Sequence, residues 1–72
     1  MAEQPVKSEI TGTVWKILAN VGDKVAEEDH IMILESMKME IPVLAPDGGT
    51  VREILVKEGE AVSEGQVVAV LA

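Results

Sequence analysis

The segment Glu35-Ser36-Met37-Lys38-Met39-Glu40 stands apart in a chain that otherwise repeats itself. Shifting the sequence by thirty-seven positions lays Pro5-Val6 on Pro42-Val43 and Gly12-Thr13-Val14 on Gly49-Thr50-Val51. It also lays Ile17-Leu18 on Ile54-Leu55, Gly22 on Gly59, Val25 on Val62, Glu27 on Glu64 and Leu34 on Leu71. Residues 5–35 thus recur as residues 42–72 with roughly eleven identities in thirty-one pairs, a period typical of structural repeats. Only residues 36–41 lie between the copies without a partner. A duplicated scaffold that leaves one short segment unmatched displays that segment, and Lys38 is at its centre.

Both copies carry the same punctuation. Thr13 to Ala19 is rich in strand formers (Val14, Trp15, Ile17, Leu18), and Thr50 to Val56 is the matching strand. Asn20-Val21-Gly22-Asp23 and Glu58-Gly59-Glu60 have turn chemistry, with Gly22 free to take positive φ. Val25 opens a very short strand, as does Ala61 to Ser63. Ile31 to Leu34 and Gln66 to Leu71 are apolar runs too short for helices and suited to buried strands. Pro5 to Ile10 reads as a short edge strand, Thr11-Gly12 and Ala45-Pro46-Asp47-Gly48-Gly49 as turns, and Met1 to Gln4 as a frayed tail. Strands this short at such close turn spacing predict an all-β sandwich or barrel. Two four-strand copies are too few for a solenoid. They bury their apolar faces by closing on each other across a pseudo-two-fold axis, which also limits exposed sheet edges.

Glu, Met and Lys are good helix formers, so local propensity alone makes residues 35–40 helical. Six residues between two strand-like runs cannot sustain an isolated helix. The chain is expected to form a tight hairpin with Met37-Lys38 at its two central positions. In that register Ser36 faces Met39, Glu35 faces Glu40, and Leu34 pairs with Ile41. Two-residue hairpin loops need positive φ and favour Asn-Gly or Asp-Gly. Met-Lys breaks that rule at one exposed place, which points to function rather than folding. The counterpart of Glu35 is Ala72, so the second copy's matching position falls where the termini lie, at the pole opposite Lys38.

Seventy-two residues make one small domain. There is no cysteine, and Trp15 is the only aromatic residue, so the core is aliphatic and unstapled. No apolar run approaches the length of a membrane span, and the N-terminus lacks the layout of a signal peptide. These features predict a cytoplasmic monomer. A formal net charge of -7 argues against nucleic acid and anionic membranes as partners.

Glu35-Ser36-Met37-Lys38-Met39-Glu40 resembles the Glu-Ala-Met-Lys-Met signature of biotin carboxyl carrier domains. The similarity runs along nearly the whole chain, through Gly12-Thr13-Val14, Val21-Gly22-Asp23-Lys24-Val25, Ala45-Pro46 and Gly49-Thr50-Val51. That family and its lipoyl-domain relatives form a flattened eight-strand barrel-sandwich hybrid of two quasi-symmetric halves, with the lysine at a hairpin tip. The resemblance implies one attachment domain over residues 1–72, with repeats 5–35 and 42–72 and an attachment hairpin at 36–41. It implies covalent biotin on Lys38, a biotin protein ligase that installs it, and a biotin carboxylase and a carboxyltransferase that use it. Two positions depart from the family: Ser36 stands where Ala is usual, and Glu28 where Gly is common, although the second copy keeps Gly65. No insertion resembles the protruding thumb of some bacterial carrier subunits, so the chain is expected to act as a free-standing carrier.

The chemistry of the residues fits that expectation. An ammonium group is not a nucleophile, so a ligase must hold Lys38 against an activated acyl group and take its proton. Amide formation removes one positive charge. Met37 and Met39 are flexible, polarizable side chains suited to a recognition surface, although Met39 fits hairpin packing equally well. Glu35 and Glu40, as a like-charged cross-strand pair, cost stability unless a partner faces them. They have no cleft that would make them a catalytic carboxylate pair. His30 follows Glu27-Glu28-Asp29 and is better read as a surface loop residue than as a metal ligand. The chain is thus expected to be a carrier rather than an enzyme. Two alternatives remain: a lipoyl carrier modified with lipoate at the same lysine, and an interaction module that is never modified.

Overall fold

Val6, Val14, Val43 and Val62 are each buried between exposed neighbours, the period of two that builds a half-buried strand. The computed structural model describes residues 3–72. Its elements are all strands: β1 (Gln4–Lys7), β2 (Gly12–Ile17), β3 (Lys24–Val25), β4 (His30–Ser36), β5 (Met39–Leu44), β6 (Gly49–Ile54), β7 (Ala61–Val62) and β8 (Val67–Leu71). Gln4 belongs to β1 and pairs with Leu71, so the expected tail does not extend that far. Of the rest of the expected tail, Glu3 is exposed and outside any strand, and Met1 and Ala2 lie outside the described residues. β2 and β6 stop two residues earlier than expected, although the N–H groups of Leu18 and Leu55 still donate to the Ile31 and Val68 carbonyls of β4 and β8, each at 2.9 Å.

The strands form two four-stranded antiparallel sheets, ordered β1-β8-β6-β3 and β5-β4-β2-β7. The sequence repeat carries β1 to β5, β2 to β6, β3 to β7 and β4 to β8, which turns one order into the other. Each sheet therefore takes its central pair from one copy and its edge strands from the other. The copies interleave rather than merely face each other, and neither copy alone can complete a sheet. The symmetry extends to individual hydrogen bonds. Val14 N–H donates to the Glu60 carbonyl and Val51 N–H to the Asp23 carbonyl, both at 2.8 Å. Asp23 and Glu60, equivalent in the repeat, accept at their carboxylates from the N–H groups of Asn20 (2.8 Å) and Lys57 (3.1 Å).

Between the sheets lies an aliphatic core that includes Val14, Ile31, Met32, Leu34, Val51, Val68 and Leu71. Val14 and Val51 are 0% and 1% exposed, as their equivalence in the repeat requires. Both edge strands on one side carry a proline, Pro5 in β1 and Pro42 in β5. Proline lacks an N–H, so it is tolerated at an edge and discourages a further strand from adding there. The ladder slips at Trp15 in β2 and at Arg52 in β6, again equivalent positions. Such bulges turn a side chain outward. Trp15 is half-exposed, and Arg52 Nε meets Glu3 Oε2 at 2.6 Å. Among the described residues no helix is long and apolar enough to cross a membrane.

Candidate functional site

β4 and β5 form a hairpin whose register pairs Leu34 with Ile41, Glu35 with Glu40, and Ser36 with Met39. Met37 and Lys38 are the two residues of the turn. Both take positive φ, 53° and 65°, which is what a type I′ two-residue loop demands. Neither is Gly, Asn or Asp, and left-handed backbone costs an ordinary L-residue roughly 1–2 kcal/mol. Both side chains are unbranched at Cβ, which makes the conformation reachable. The turn thus carries local strain that Asn-Gly would avoid, and the benefit is a lysine at the apex.

The base of the hairpin is fixed along both edges of β4. On one side β5 pairs with it along six residues, and on the other Thr13 and Val14 of β2 pair with Glu35 and Leu34. Gly12 packs directly against this base: a Cβ there would lie 2.6 Å from the Glu35 carbonyl oxygen. Any side chain at position 12 would push the end of β4 away. Gly49 performs the equivalent task at the other pole, where a Cβ would lie 2.8 Å from the Ala72 carbonyl oxygen. The N–H of Thr50 and that of Ala72 each donate to the other's carbonyl there, and Gln4 pairs with Leu71. Thus the described ends of the chain meet at one pole, and the hairpin stands at the other. The sequence marked Thr11-Gly12 only as a turn; the identity of Gly12 and Gly49 in the repeat was the available sign of this shared close approach.

The side chains named from the sequence converge on this tip. Met37 is 92% exposed and Met39 61% exposed, so both belong to the surface rather than the packing. Lys38, Glu35 and Glu40 are exposed and Ser36 is half-buried. Among the described residues the one ion pair is Arg52 with Glu3, so Lys38 is not tied to either flanking glutamate. Glu35 and Glu40 sit directly opposite each other, an arrangement that costs stability for like charges. His30 is exposed at the start of β4, opposite Leu44. Among the described residues no three His, Cys, Asp or Glu side chains gather as a metal site. Glu28 takes φ 71° where its counterpart Gly65 takes 85°, so the departure noted in the sequence is a second strained left-handed position. A shallow groove between β5 and the segment after β1 is lined by Lys7, Glu9, Ile10, Leu34, Ile41 and Pro42 among others; Lys38 is not part of it.

A closed β-sandwich that holds one free lysine at the apex of a braced hairpin defines a lysine-presenting carrier domain. Comparison with known proteins gives the family. The model of a family described as biotin-requiring enzyme matches residues 3–71. The biotin/lipoyl attachment protein of Bacillus subtilis is 42% identical over 67 residues, covering 93% of this chain and 92% of that protein. The biotin carboxyl carrier protein of Streptococcus mutans is 41% identical over 71 residues, covering 99% of this chain and 55% of that protein. The crystal structure of Kluyveromyces lactis urea carboxylase superposes with a TM-score of 0.95 at 42% identity, over all of this chain and 6% of that one. The chain belongs to the biotin/lipoyl attachment family.

Proposed function

We propose that this chain is a biotin carrier whose Lys38 Nζ forms an amide with the biotin carboxyl group. The observation that carries the reading is the strained Met37-Lys38 turn, which places the lysine at the apex with Met37 92% exposed beside it. The carrier is not itself an enzyme but the substrate of a biotin protein ligase. Met37, Met39, Glu35, Ser36 and Glu40 form the surface that such a ligase reads. Residues 1–72 form one attachment domain, two interleaved copies supporting one hairpin. Biotin supplies the carboxyl-carrying chemistry; this chain supplies a rigid tip, reach and recognition. The modified arm moves a carboxyl group from a biotin carboxylase to a carboxyltransferase, as a monomer in the cytoplasm, a setting that fits the lack of cysteine.

A second reading has specific support, since the Bacillus subtilis relative is named for both biotin and lipoyl attachment. In that reading lipoate occupies Lys38 and the arm carries acyl groups. One experiment tests both. Purified protein is incubated with ATP, biotin and a biotin ligase, or with ATP, lipoate and a lipoate ligase. Biotin transfer should make wild type streptavidin-reactive, and Lys38→Arg should abolish it. Label mapped to Lys7, Lys16, Lys24 or Lys57 overturns the assignment.

A further inference from the structure

The chain has three methionines within the described residues, and the fold treats them very differently. Met32 is 0% exposed in the core, whereas Met37 and Met39 are 92% and 61% exposed on either side of Lys38. We propose that Met37 and Met39 are sites of reversible sulfoxidation by hydroperoxides, and that their oxidation blocks acylation of Lys38. The effect on acylation rests on the attachment reading above; the oxidation pattern stands without it.

The chemistry is a two-electron oxygen transfer. The thioether sulfur attacks one peroxide oxygen, an S–O bond forms, and the O–O bond breaks. The leaving oxygen takes a proton and departs as an alcohol, or as water from hydrogen peroxide. Sulfur is oxidised by two electrons and the peroxide is reduced by two. A thioether reacts only where peroxide reaches it, so Met37 should react first, Met39 second, and Met32 only on opening of the core. The product is a polar, chiral sulfoxide in place of an apolar, adaptable side chain. Since the hairpin backbone is fixed by β2 and β5, the change alters what the tip presents rather than the fold beneath it. A ligase surface shaped for two thioethers would have to desolvate two S=O groups without partners. Reversal requires a thiol-dependent sulfoxide reductase.

The test uses the unmodified full chain and limiting hydrogen peroxide. Peptide mapping should show Met37 and Met39 oxidised at least about tenfold faster than Met32, with the difference lost in urea. Met1 is scored separately on its own peptide. Comparable rates at Met32 and Met37 in the folded protein would overturn the assignment of the sites. Biotin transfer to the doubly oxidised protein should fall at least about tenfold and recover after sulfoxide reductase treatment, a change corresponding to roughly 1.4 kcal/mol. Transfer at the unoxidised rate overturns the block. Met37→Leu with Met39→Leu provides a second measure: whatever its own starting rate, peroxide should leave that rate unchanged. Continued peroxide sensitivity of that variant would assign the block elsewhere and overturn the proposal. If untreated wild type accepts no biotin, the attachment reading fails, and the selective oxidation is then judged by its mapping alone.

Discussion

Replacing Met37 with Asn and Lys38 with Gly should stabilise this protein while destroying its site. The two native residues hold φ values of 53° and 65°. Left-handed backbone costs each about 1–2 kcal/mol. Asn tolerates that region and Gly pays no steric cost there, although Gly returns roughly 0.4–1 kcal/mol through the entropy of the unfolded chain. Met37 is 92% exposed, so little packing is lost with it. The net gain is about 1–2 kcal/mol, and for a chain of this size each kcal/mol raises Tm by roughly 4–8 °C. Thermal unfolding followed by circular dichroism, with urea titration to check that the slope stays constant, measures it. Met37→Asn alone keeps Lys38 and should give part of the gain, which separates relief of strain from loss of the lysine charge. An unchanged or lowered Tm in the double variant would refute the view that the apex is strained in order to present a lysine.

Other expectations follow from the interleaved symmetry and from the tip. Val14→Ala and Val51→Ala should each cost about 2 kcal/mol in urea unfolding, from the lost methyl groups and the cavity left behind. The two costs should agree closely, because the positions are equivalent and equally buried; Val14→Asp and Val51→Asp, each burying an unpaired charge, should both prevent folding at 25 °C. Residues 1–36 and 37–72 made separately should be disordered, since each sheet needs strands from both copies, and dispersed amide spectra from either half would contradict this. Met37→Asp with Met39→Ala should lower biotin transfer at least about tenfold, or roughly 1.4 kcal/mol, in a ligase competition read by mass, while preserving or raising lipoate transfer. Unchanged biotin transfer would move the discriminating role to Ser36, Glu28 or hairpin shape.

Much of the architecture was legible because duplication made the chain its own comparison. Equivalent residues pointed to equivalent strands, and the unmatched segment located the hairpin. Its register followed from a two-residue turn at Met37-Lys38, which sets Leu34 opposite Ile41 and Glu35 opposite Glu40. The interleaving was not legible. The alternation of apolar residues says which face of a strand is buried but not which neighbour it pairs with, and β1 and β5 satisfy that pattern in either sheet. The bulges at Trp15 and Arg52 stretch the inward spacing to three, from Val14 to Ile17 and from Val51 to Ile54, a single break that strands of six residues are too short to set off from a regular alternation. Gly12 was read as a turn glycine. Its role is close approach to the Glu35 carbonyl at a position inside a strand, and a glycine in either role looks the same in the sequence.

A biotin carrier of this design should hold one biotin, on Lys38. The intact mass of the protein isolated from cells that make biotin and lipoate tests it most directly, with fragmentation to place any added group. The expected species is heavier by one biotinyl group, with the group on Lys38 and absent from Lys38→Arg. A mass increase of one lipoyl group at Lys38 would keep the site and replace the cofactor. An unmodified mass from cells whose ligase modifies other carriers, or a biotinyl group on any other lysine, would contradict biotin carriage at Lys38.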